Sequence, residues 1–274
     1  MPTTTHFTKH HGAGNDFLVT VDLDDRLPLE PSVVRALCDR HRGVGADGVI
    51  RVLRGRLGAE VTMELRNADG LEAEMSGNGM RCLAQAAVHA GLVSPPTFSV
   101  ATGAGIRTVE YGQGDRPDVA EASVDMGKAE LGPDQSHEFG DDRRGRHVDM
   151  GNPHLVLLGP DPSTVVVDEL GPALQARHRD GINVEFVALG PATDELTMRV
   201  WERGVGETLA CGTGACAAAA AAHSWGLVGE AVTVHSPGGS LRVVLGSTGV
   251  SLAGPTQKVA DLEVDLAALS ASLP

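Results

Sequence analysis

Two short segments of this chain share one pattern of residue types, and that pattern could do acid–base chemistry. Segments 76–87 and 211–222 read SGNGMRCLAQAA and CGTGACAAAAAA. Each begins with a side chain that can exchange a proton, continues with Gly-x-Gly and then becomes rich in small residues. The two segments lie about half the chain length apart. The sequence therefore predicts two similar halves, each with a reactive group at a helix N-terminus, as a cofactor-free racemase needs.

The position of Cys211 before a helix explains why its thiol could act as a base. A residue there lies near the positive end of the helix dipole and near unpaired N–H groups. We therefore expect its pKa to lie below the ~8.5 of a free thiol. Gly212 and Thr213 would let backbone amides approach a carboxylate closely. Taken alone, this segment is better explained as a buried structural cysteine beside a glycine turn. The internal repeat favours catalysis.

Removal of an α-proton from an amino acid is difficult without a cofactor. A carboxylate held between two helix N-termini would stabilise the developing charge, and one group on each face would take and deliver the proton. A pyridoxal enzyme would need a Schiff-base lysine. The only lysines are Lys9, Lys128 and Lys258, and none has a suitable context, so we expect no cofactor.

Composition narrows the class of protein. The net charge of −14 and the lack of a basic cluster argue against nucleic-acid binding. No apolar run reaches the ~20 residues that span a bilayer, and no signal peptide is recognisable. The four cysteines are expected to be reduced thiols, and their spacing does not suit a metal site. We therefore expect a cytoplasmic protein with a small-molecule partner, without metal, nucleic acid or membrane.

Periodicity and turn residues predict the elements of the first half. A strand, a glycine turn and a second strand cover 7–19, and a helix covers 31–40. A loop over 43–48 precedes a half-buried strand over 60–66. A tight turn at 67–70 and a helix from 77 to about 90 follow.

The second half repeats this order, which predicts an α+β fold. Strand, turn and strand cover 149–157, a strand covers 196–202, and a turn covers 203–206. A helix covers 212–224 and ends at Trp225-Gly226, and a hairpin joins 232–235 to 241–245. The small residues of the helix over 212–224 suit a helix inside a curled sheet, although a low-complexity alanine stretch is the alternative. The Gly-, Pro- and Asp-rich segment 112–119 predicts halves 1–115 and 116–257, with 258–274 returning to the first.

Several segments in order resemble the diaminopimelate epimerases, a family of pyridoxal-independent amino-acid epimerases. The resemblance covers nearly the whole chain, and the combination of segments is far more specific than any one of them. They are HGAGNDF at 11–17, GVGADG at 43–48, NADG at 67–70, EMSGNGMRC at 74–82, GNPH at 151–154, GINVEF at 181–186 and WERGVGETLACGTGA at 201–215.

This resemblance implies two pseudo-symmetric halves, each a β-barrel-like sheet around a central α-helix, with the site in the cleft between them. It implies the interconversion of L,L- and meso-diaminopimelate for lysine and peptidoglycan synthesis, in a chain that could be a homodimer. It gives Cys211 and Ser76 the two acid–base positions, with Glu202 and His154 tuning them. The substrate would be bound by Asn15, Asn67, Gly77, Asn78, Asn152, Asn183, Arg203, Gly212 and Thr213.

Ser76 stands where the family has a second cysteine. A hydroxyl is a far weaker acid than a thiol, and a helix dipole supplies only about 0.3–2 kcal/mol. Ser76 could be an engineered change, a natural serine assisted by His154 or Glu202, or the mark of a one-base or inactive relative. Cys82 lies nearly two helical turns away and does not replace it. A racemase of another amino acid on the same fold is a further alternative, although Arg203 with the asparagines suits a distal carboxylate and amine.

Overall fold

The computed structural model describes residues 4–27, 29–135 and 143–271. The chain packs into two compact units, one of Met1–Val124 with Pro255–Pro274 and the other of Asp125–Gly254. The division into halves predicted at 115/116 and 257/258 stays a prediction.

The first unit contains seven strands that lie wholly within it, most of β8 and the final part of β17. The strands are β1 (Thr5–Gly12), β2 (Asn15–Val21), β3 (Gly48–Arg54), β4 (Val61–Asn67), β5 (Glu72–Ala73), β6 (Thr97–Thr102), β7 (Gly105–Gln113) and, running to the boundary, β8 (Val119–Gly127). Its helices are α1 (Pro31–Cys38), α2 (Gly77–His89) and α5 (Leu266–Ala271). α1 packs against α5.

The second unit has a similar set of strands around one long helix. Its strands are β9 (Glu130–Asp134), β10 (Arg144–Asp149), β11 (Pro153–Leu158), β12 (Asn183–Leu189), β13 (Glu195–Glu202), β14 (Gly206–Thr208), β15 (Ala231–Ser236), β16 (Gly239–Leu245) and the start of β17 (Val250–Val264). Its helices are α3 (Val167–Gln175) and α4 (Gly212–Ser224), with a short 3₁₀ helix at Pro162–Thr164.

Strand pairing follows the same order in both units. In the first, β1–β2 is antiparallel, β2–β3 parallel, β3–β4 antiparallel, β4–β6 parallel, and β6–β7 and β7–β8 antiparallel. In the second, the pairs β10–β11, β11–β12, β12–β13, β13–β15, β15–β16 and β16–β17 have the same directions in turn. In the first unit β17 pairs with both β1 and β8, which closes the sheet into a barrel. The predicted α+β fold with a duplicated barrel-like sheet is confirmed.

Each unit has one central helix surrounded by its own strands. α2 packs against β1, β2, β3, β4 and β7, and α4 packs against β10, β11, β12, β13, β15 and β16. Every residue of α4 from Gly212 to Ala222 is buried. Small side chains let the surrounding strands approach the helix, so the alanine run is a core helix and not a low-complexity surface stretch.

The ends of the two central helices are also equivalent. Ser76 and Cys211 are the N-cap residues in extended conformation, and their side chains accept hydrogen bonds from Gly79 and Gly214. At the other ends, Gly91 (φ 68°) and Gly226 (φ 71°) adopt the left-handed conformation that favours glycine. The helix end predicted at Trp225-Gly226 is confirmed.

Most elements predicted from the sequence are present, with small shifts at their ends. The helix predicted over 31–40 ends at Cys38, and the loop predicted over 43–48 gives way to β3 at Gly48. Several elements were not predicted from the sequence: β3, β5 to β9, β12, β14, β17, α3 and α5. No helix among the described residues is long and apolar enough to cross a membrane.

Candidate active site

The Cys211 half-site is built on the first turn of α4. The Cys211 side chain is 5% exposed. Its Sγ accepts a hydrogen bond from the Gly214 N–H at 3.3 Å and lies 3.4 Å from Thr213 Oγ1. Backbone N–H groups in the first turn of a helix have no partner within the helix. The loop between β14 and α4 therefore places a thiol beside the N–H groups of Gly212 and Thr213.

The expected low pKa of Cys211 is wrong. Burial raises the pKa of this thiol well above its ordinary value, and the carboxyl groups of Glu202 and Glu185 raise it further. Hydrogen bonds with Thr213 and Gly214 act in the opposite direction but do not prevail. Desolvation of a buried thiolate outweighs the helix dipole, which contributes at most about 2 kcal/mol. Cys211 therefore rests as a neutral thiol, and something must take its proton.

Glu202, at the end of β13, is placed to take that proton. Its carboxyl accepts a hydrogen bond from the Thr208 hydroxyl. Burial raises the pKa of Glu202, while Thr208, the neighbouring Cys211 thiol and His154 act to lower it. A carboxyl group with a raised pKa is closer to a thiol in proton affinity, which is what proton exchange between the two requires.

His154, on β11, is fully buried and bonded at both ring nitrogens. Nδ1 lies 2.7 Å from Glu185 Oε1 and Nε2 lies 2.9 Å from Asn152 Oδ1. Asn152 in turn donates from Nδ2 to Thr213 Oγ1 at 3.4 Å. His154 therefore does not contact Cys211 directly among the described contacts but reaches it through two intervening side chains.

Asn183 and Arg203 lie together on the second unit. The Asn183 amide donates to the Pro153 carbonyl at 3.0 Å and accepts from the Arg203 N–H at 2.9 Å. The Arg203 side chain is exposed and donates to the Asp180 carbonyl at 3.1 Å. It crosses over Gly181 (φ 71°), where a Cβ would meet the Arg203 Cδ at 2.8 Å. Asn183 thus fixes the Arg203 backbone, and Gly181 leaves room for its guanidinium arm.

The Ser76 half-site is built on the first turn of α2. Ser76 is half-buried, and its hydroxyl accepts from the Gly79 N–H at 3.1 Å. Asn78 is 1% exposed, and its amide donates to Asn15 Oδ1 at 3.2 Å and accepts from Arg81 Nη2 at 2.7 Å. Arg81 also donates to the Gly77 carbonyl at 3.3 Å. A buried guanidinium therefore holds the first turn of this helix.

A network of charged side chains holds Asn15 from the other side. Asn15 donates to Asp47 Oδ2 at 2.8 Å. Arg40 bridges Asp47 and Asp16, at 2.7 Å to each, and Lys9 lies 2.9 Å from Asp16. Although burial acts to raise it, hydrogen bonds from Arg40 and Lys9 hold the pKa of Asp16 below its ordinary value. Lys9 is thus engaged in an ion pair in the scaffold of this half-site.

Two further residues of the first unit complete the account. Asn67 is half-buried at the end of β4, and its backbone closes the predicted turn by accepting from Gly70 at 2.8 Å. Cys82 is fully buried in α2, and burial raises the pKa of its thiol to about 12. Cys82 is therefore no substitute for an acid–base group at position 76.

Among the described residues, no group of three or more His, Cys, Asp or Glu side chains could hold a metal ion.

Glu185 is the residue that the sequence analysis missed. It lies on β12 two positions after Asn183, on the same face of the strand, and is fully buried. A Cβ at Gly214 would meet Glu185 Oε1 at 2.8 Å and Cys211 Sγ at 3.3 Å. The sequence feature that could have revealed Glu185 is a carboxylate inside an otherwise apolar strand, because a buried charge needs a partner.

Solved structures show the class of fold to which this chain belongs. A hydroxyproline epimerase from Agrobacterium vitis matches with a TM-score of 0.74 and 17% identity, covering 96% of this chain and 93% of that one. A PhzF-family phenazine biosynthesis protein from Bacillus anthracis matches with a TM-score of 0.74 and 14% identity, covering 95% and 99%. The duplicated unit, with a helix inside a barrel-like sheet, is thus the fold shared by these epimerases and PhzF-type proteins.

Sequence comparison identifies the family within that class. The model of the diaminopimelate epimerase family matches residues 7–132 and 146–259. A diaminopimelate epimerase of Corynebacterium glutamicum is 41% identical over 97% of this chain and 100% of its own length. Another, from Thermobifida fusca, is 42% identical over 96% and 99%. The chain belongs to the diaminopimelate epimerase family, as its sequence motifs predicted.

Proposed function

We propose that this chain is a cofactor-independent epimerase that interconverts L,L- and meso-diaminopimelate, a precursor of lysine and peptidoglycan. Membership of the family makes it an isomerase. The single observation that carries the proposal is the Cys211 half-site. A buried thiol at a helix N-terminus lies near the carboxyl group of Glu202, and burial raises the pKa of both groups, so that the carboxylate can take the thiol proton.

The helix N-termini supply the charge stabilisation that the reaction needs. The α-carboxylate binds the N–H groups of Gly212 and Thr213, with Gly77 and Asn78 offering the equivalent groups in the other half. Developing negative charge at Cα is stabilised because the carboxylate that shares it is held by oriented dipoles. The half-buried amides of Asn15 and Asn152 line these turns and orient the substrate amine.

Proton transfer uses one group from each half. Glu202 takes the proton of the Cys211 thiol, and the thiolate takes the Cα proton. The Ser76 hydroxyl, which accepts a hydrogen bond from the Gly79 N–H, delivers a proton to the opposite face of Cα and takes one from solvent water, while Glu202 returns the thiol proton to solvent. The reverse reaction exchanges these roles. Ser76 acts as a natural member of the pair in this account, and the hydroxyl rather than Cys211 limits the rate.

The arginine beside Asn183 favours diaminopimelate as the substrate. Arg203 is exposed, carries a fixed charge and is anchored through its backbone by Asn183. It offers a bidentate partner for a carboxylate, and together with Asn67 it suits the distal carboxylate and amine of diaminopimelate. A substrate without a distal carboxylate would leave this guanidinium unused.

Incubation with L,L-diaminopimelate in D₂O tests the proposal. Deuteration at Cα, followed by NMR, and formation of the meso isomer, followed by chiral chromatography, are both expected. Deuteration without the meso isomer would show that Cys211 acts alone. The absence of both signals would refute the proposal for the chain with Ser76.

A further inference from the structure

A buried pair of side chains, Glu185 and His154, lies behind the Cys211 thiol, and it begins one continuous series of hydrogen bonds that ends at the sulfur. Glu185 and His154 are both fully buried and lie 2.7 Å apart. From His154 the chain runs to Asn152 at 2.9 Å, to Thr213 at 3.4 Å and to Cys211 Sγ at 3.4 Å. All of these residues belong to the second unit. Burying such a pair costs several kcal/mol per ion before its attraction is counted, so a role beyond packing is worth testing.

The chemistry of the partners fixes the direction of each hydrogen bond. The His154 ring has an oxygen atom beside each nitrogen, a carboxylate at Nδ1 and the Asn152 Oδ1 at Nε2. Oxygen partners on both sides call for an N–H on both nitrogens. Asn152 then presents Nδ2 to Thr213, whose oxygen accepts that bond. The hydroxyl proton of Thr213 is thereby directed at Cys211 Sγ.

Resting on the proposed function, we propose that Glu185 is a positioning residue of the Cys211 half-site. Its carboxylate holds His154 with both ring nitrogens protonated. Through Asn152 and Thr213, that ring aims the Thr213 hydroxyl proton at the sulfur and leaves the thiol proton facing Glu202. The opposite polarity, with Asn152 rotated and Thr213 accepting from the thiol, would draw the proton away from Glu202.

Two packing observations support this assignment independently. Gly214 sits so close to Glu185 that a Cβ there would meet Oε1 at 2.8 Å, so the first turn of α4 rests directly on the carboxylate. Glu185 Oε2 is buried and has no hydrogen-bond partner among the described residues. The groups that face the thiol are thus Glu202 from β13, Glu185 from β12 and, through the chain, His154 from β11.

The first test is the protonation of His154 in the intact protein. We expect ¹⁵N-histidine NMR at neutral pH to show both ring nitrogens protonated, with His154→Gln used to assign the signal. In Glu185→Gln, which keeps the shape but removes the charge, one nitrogen should lose its proton because a buried cation needs a counter-ion. A lone-pair nitrogen on His154 in the unaltered protein would overturn the proposal. This readout does not depend on turnover, so it remains decisive even if the proposed epimerisation fails.

The second test is kinetic and asks whether Glu185 acts through Thr213. We expect Glu185→Gln to lower kcat about 10- to 100-fold, within the range for acid–base groups, with KM changed less than about threefold. Thr213→Val should behave similarly, whereas Thr213→Ser, which keeps the hydroxyl, should restore most of the kcat that Thr213→Val loses. The double variant Glu185→Gln/Thr213→Val should lose clearly less than the product of the two single losses.

Glu195→Gln is the matched control, because Glu195 pairs with His235 at 3.2 Å in the same unit but away from α4. Its kcat should stay within about twofold of the unaltered protein, as is usual for a partly exposed pair. Unchanged kcat in Glu185→Gln, or losses that multiply in the double variant, would show that Glu185 does not position the thiol through this chain. If Glu185→Gln fails to fold, the Thr213 pair and the His154 signal still decide.

Discussion

The two half-sites share a backbone but differ in what lies behind each helix N-terminus. The parallel pairings of Phe17 with Gly48 and of His154 with Asn183 make these positions equivalent. Ile50 lies two positions after Gly48 on β3, and Glu185 lies two positions after Asn183 on β12. A Cβ at Gly79 would meet the Ile50 Cδ1 at 3.2 Å, as one at Gly214 would meet Glu185. The first half is therefore apolar where the second half carries a buried pair of polar side chains, His154 and Glu185.

This difference shows how one fold can support two acid–base groups of unequal strength. Cys211 can ionise, and Glu202, Glu185 and His154 surround it with groups that accept or hold protons. Ser76 cannot form a stable alkoxide near neutral pH, and Phe17 and Ile50 behind it offer only packing. A neutral hydroxyl needs no counter-ion, whereas a buried thiolate needs its proton to have somewhere to go.

Conversion of the Cys211 half-site into a copy of the Ser76 half-site should have the largest effect on activity. Cys211→Ser removes the thiol but keeps the hydrogen bond from Gly214, so that both halves carry hydroxyls. We expect kcat to fall about 10³-fold or more, because a general base of suitable pKa is lost. Steady-state epimerisation assays measure this. Cys216→Ala, in the same helix, is the control, and equal losses in both variants would refute a special role for Cys211.

The central helices should differ in their tolerance of side-chain size. Leu83 of α2 and Ala218 of α4 occupy equivalent positions, and both are fully buried. Leu83→Ala should lower the free energy of unfolding by about 2–5 kcal/mol through a cavity. Ala218→Leu should lower it by about 1–3 kcal/mol through overpacking. Denaturant unfolding measures both, with exposed Leu57→Ala as the neutral control. A stable Ala218→Leu would mean that α4 is not tightly enclosed.

Replacement of Ser76 by a stronger acid–base group should raise activity. Ser76→Cys places a group with an ordinary pKa of ~8.5 where the hydroxyl is far less acidic. We expect kcat to rise about tenfold, equivalent to about 1.4 kcal/mol of barrier. Ser76→Ala, measured beside it, should keep Cα deuteration and lose the meso product. Identical kinetics in all three proteins would show that position 76 takes no part in proton transfer.

The smallest of these effects is expected in the pH profile of kcat/KM, which should report the ionisation of Glu202. Glu202 must be ionised to accept the thiol proton, so kcat/KM should fall as pH drops through its pKa. Burial raises that pKa, so the acidic limb should lie above that of an ordinary carboxyl. Thr208→Val removes a hydrogen bond that lowers it, and should move the limb upward by up to about one pH unit. Thr233→Val is the control. A downward shift would contradict the role of Glu202.

Much of the fold could be predicted because the duplication is visible in the sequence. The two Gly-x-Gly segments revealed both N-caps, and the alanine run of α4 revealed a helix enclosed by strands. β6, β7 and β8 were missed although they pair with their neighbours in sequence, whereas β17 was missed because it pairs with β1 at the other end of the chain. Local periodicity carries no information about such contacts.

The candidate site was only partly predictable for a related reason. The residue types at 76, 202, 203 and 211 could be recognised, but the electrostatics depend on three-dimensional burial. The dipole argument predicted a low pKa for Cys211, and desolvation together with Glu202 and Glu185 reverses it. Glu185 itself could have been suspected from its place in an apolar strand, but its contact with α4 lies across the sheet.

Hydrogen exchange with solvent at Cα tests the central claim most directly. The claim is that Cys211 is the ionising base and that Ser76 completes the stereochemical inversion. With L,L-diaminopimelate in D₂O, we predict deuteration and meso product for the unaltered protein, deuteration alone for Ser76→Ala, and neither for Cys211→Ala. Continued deuteration in Cys211→Ala would contradict the account, because another group would then be removing the proton.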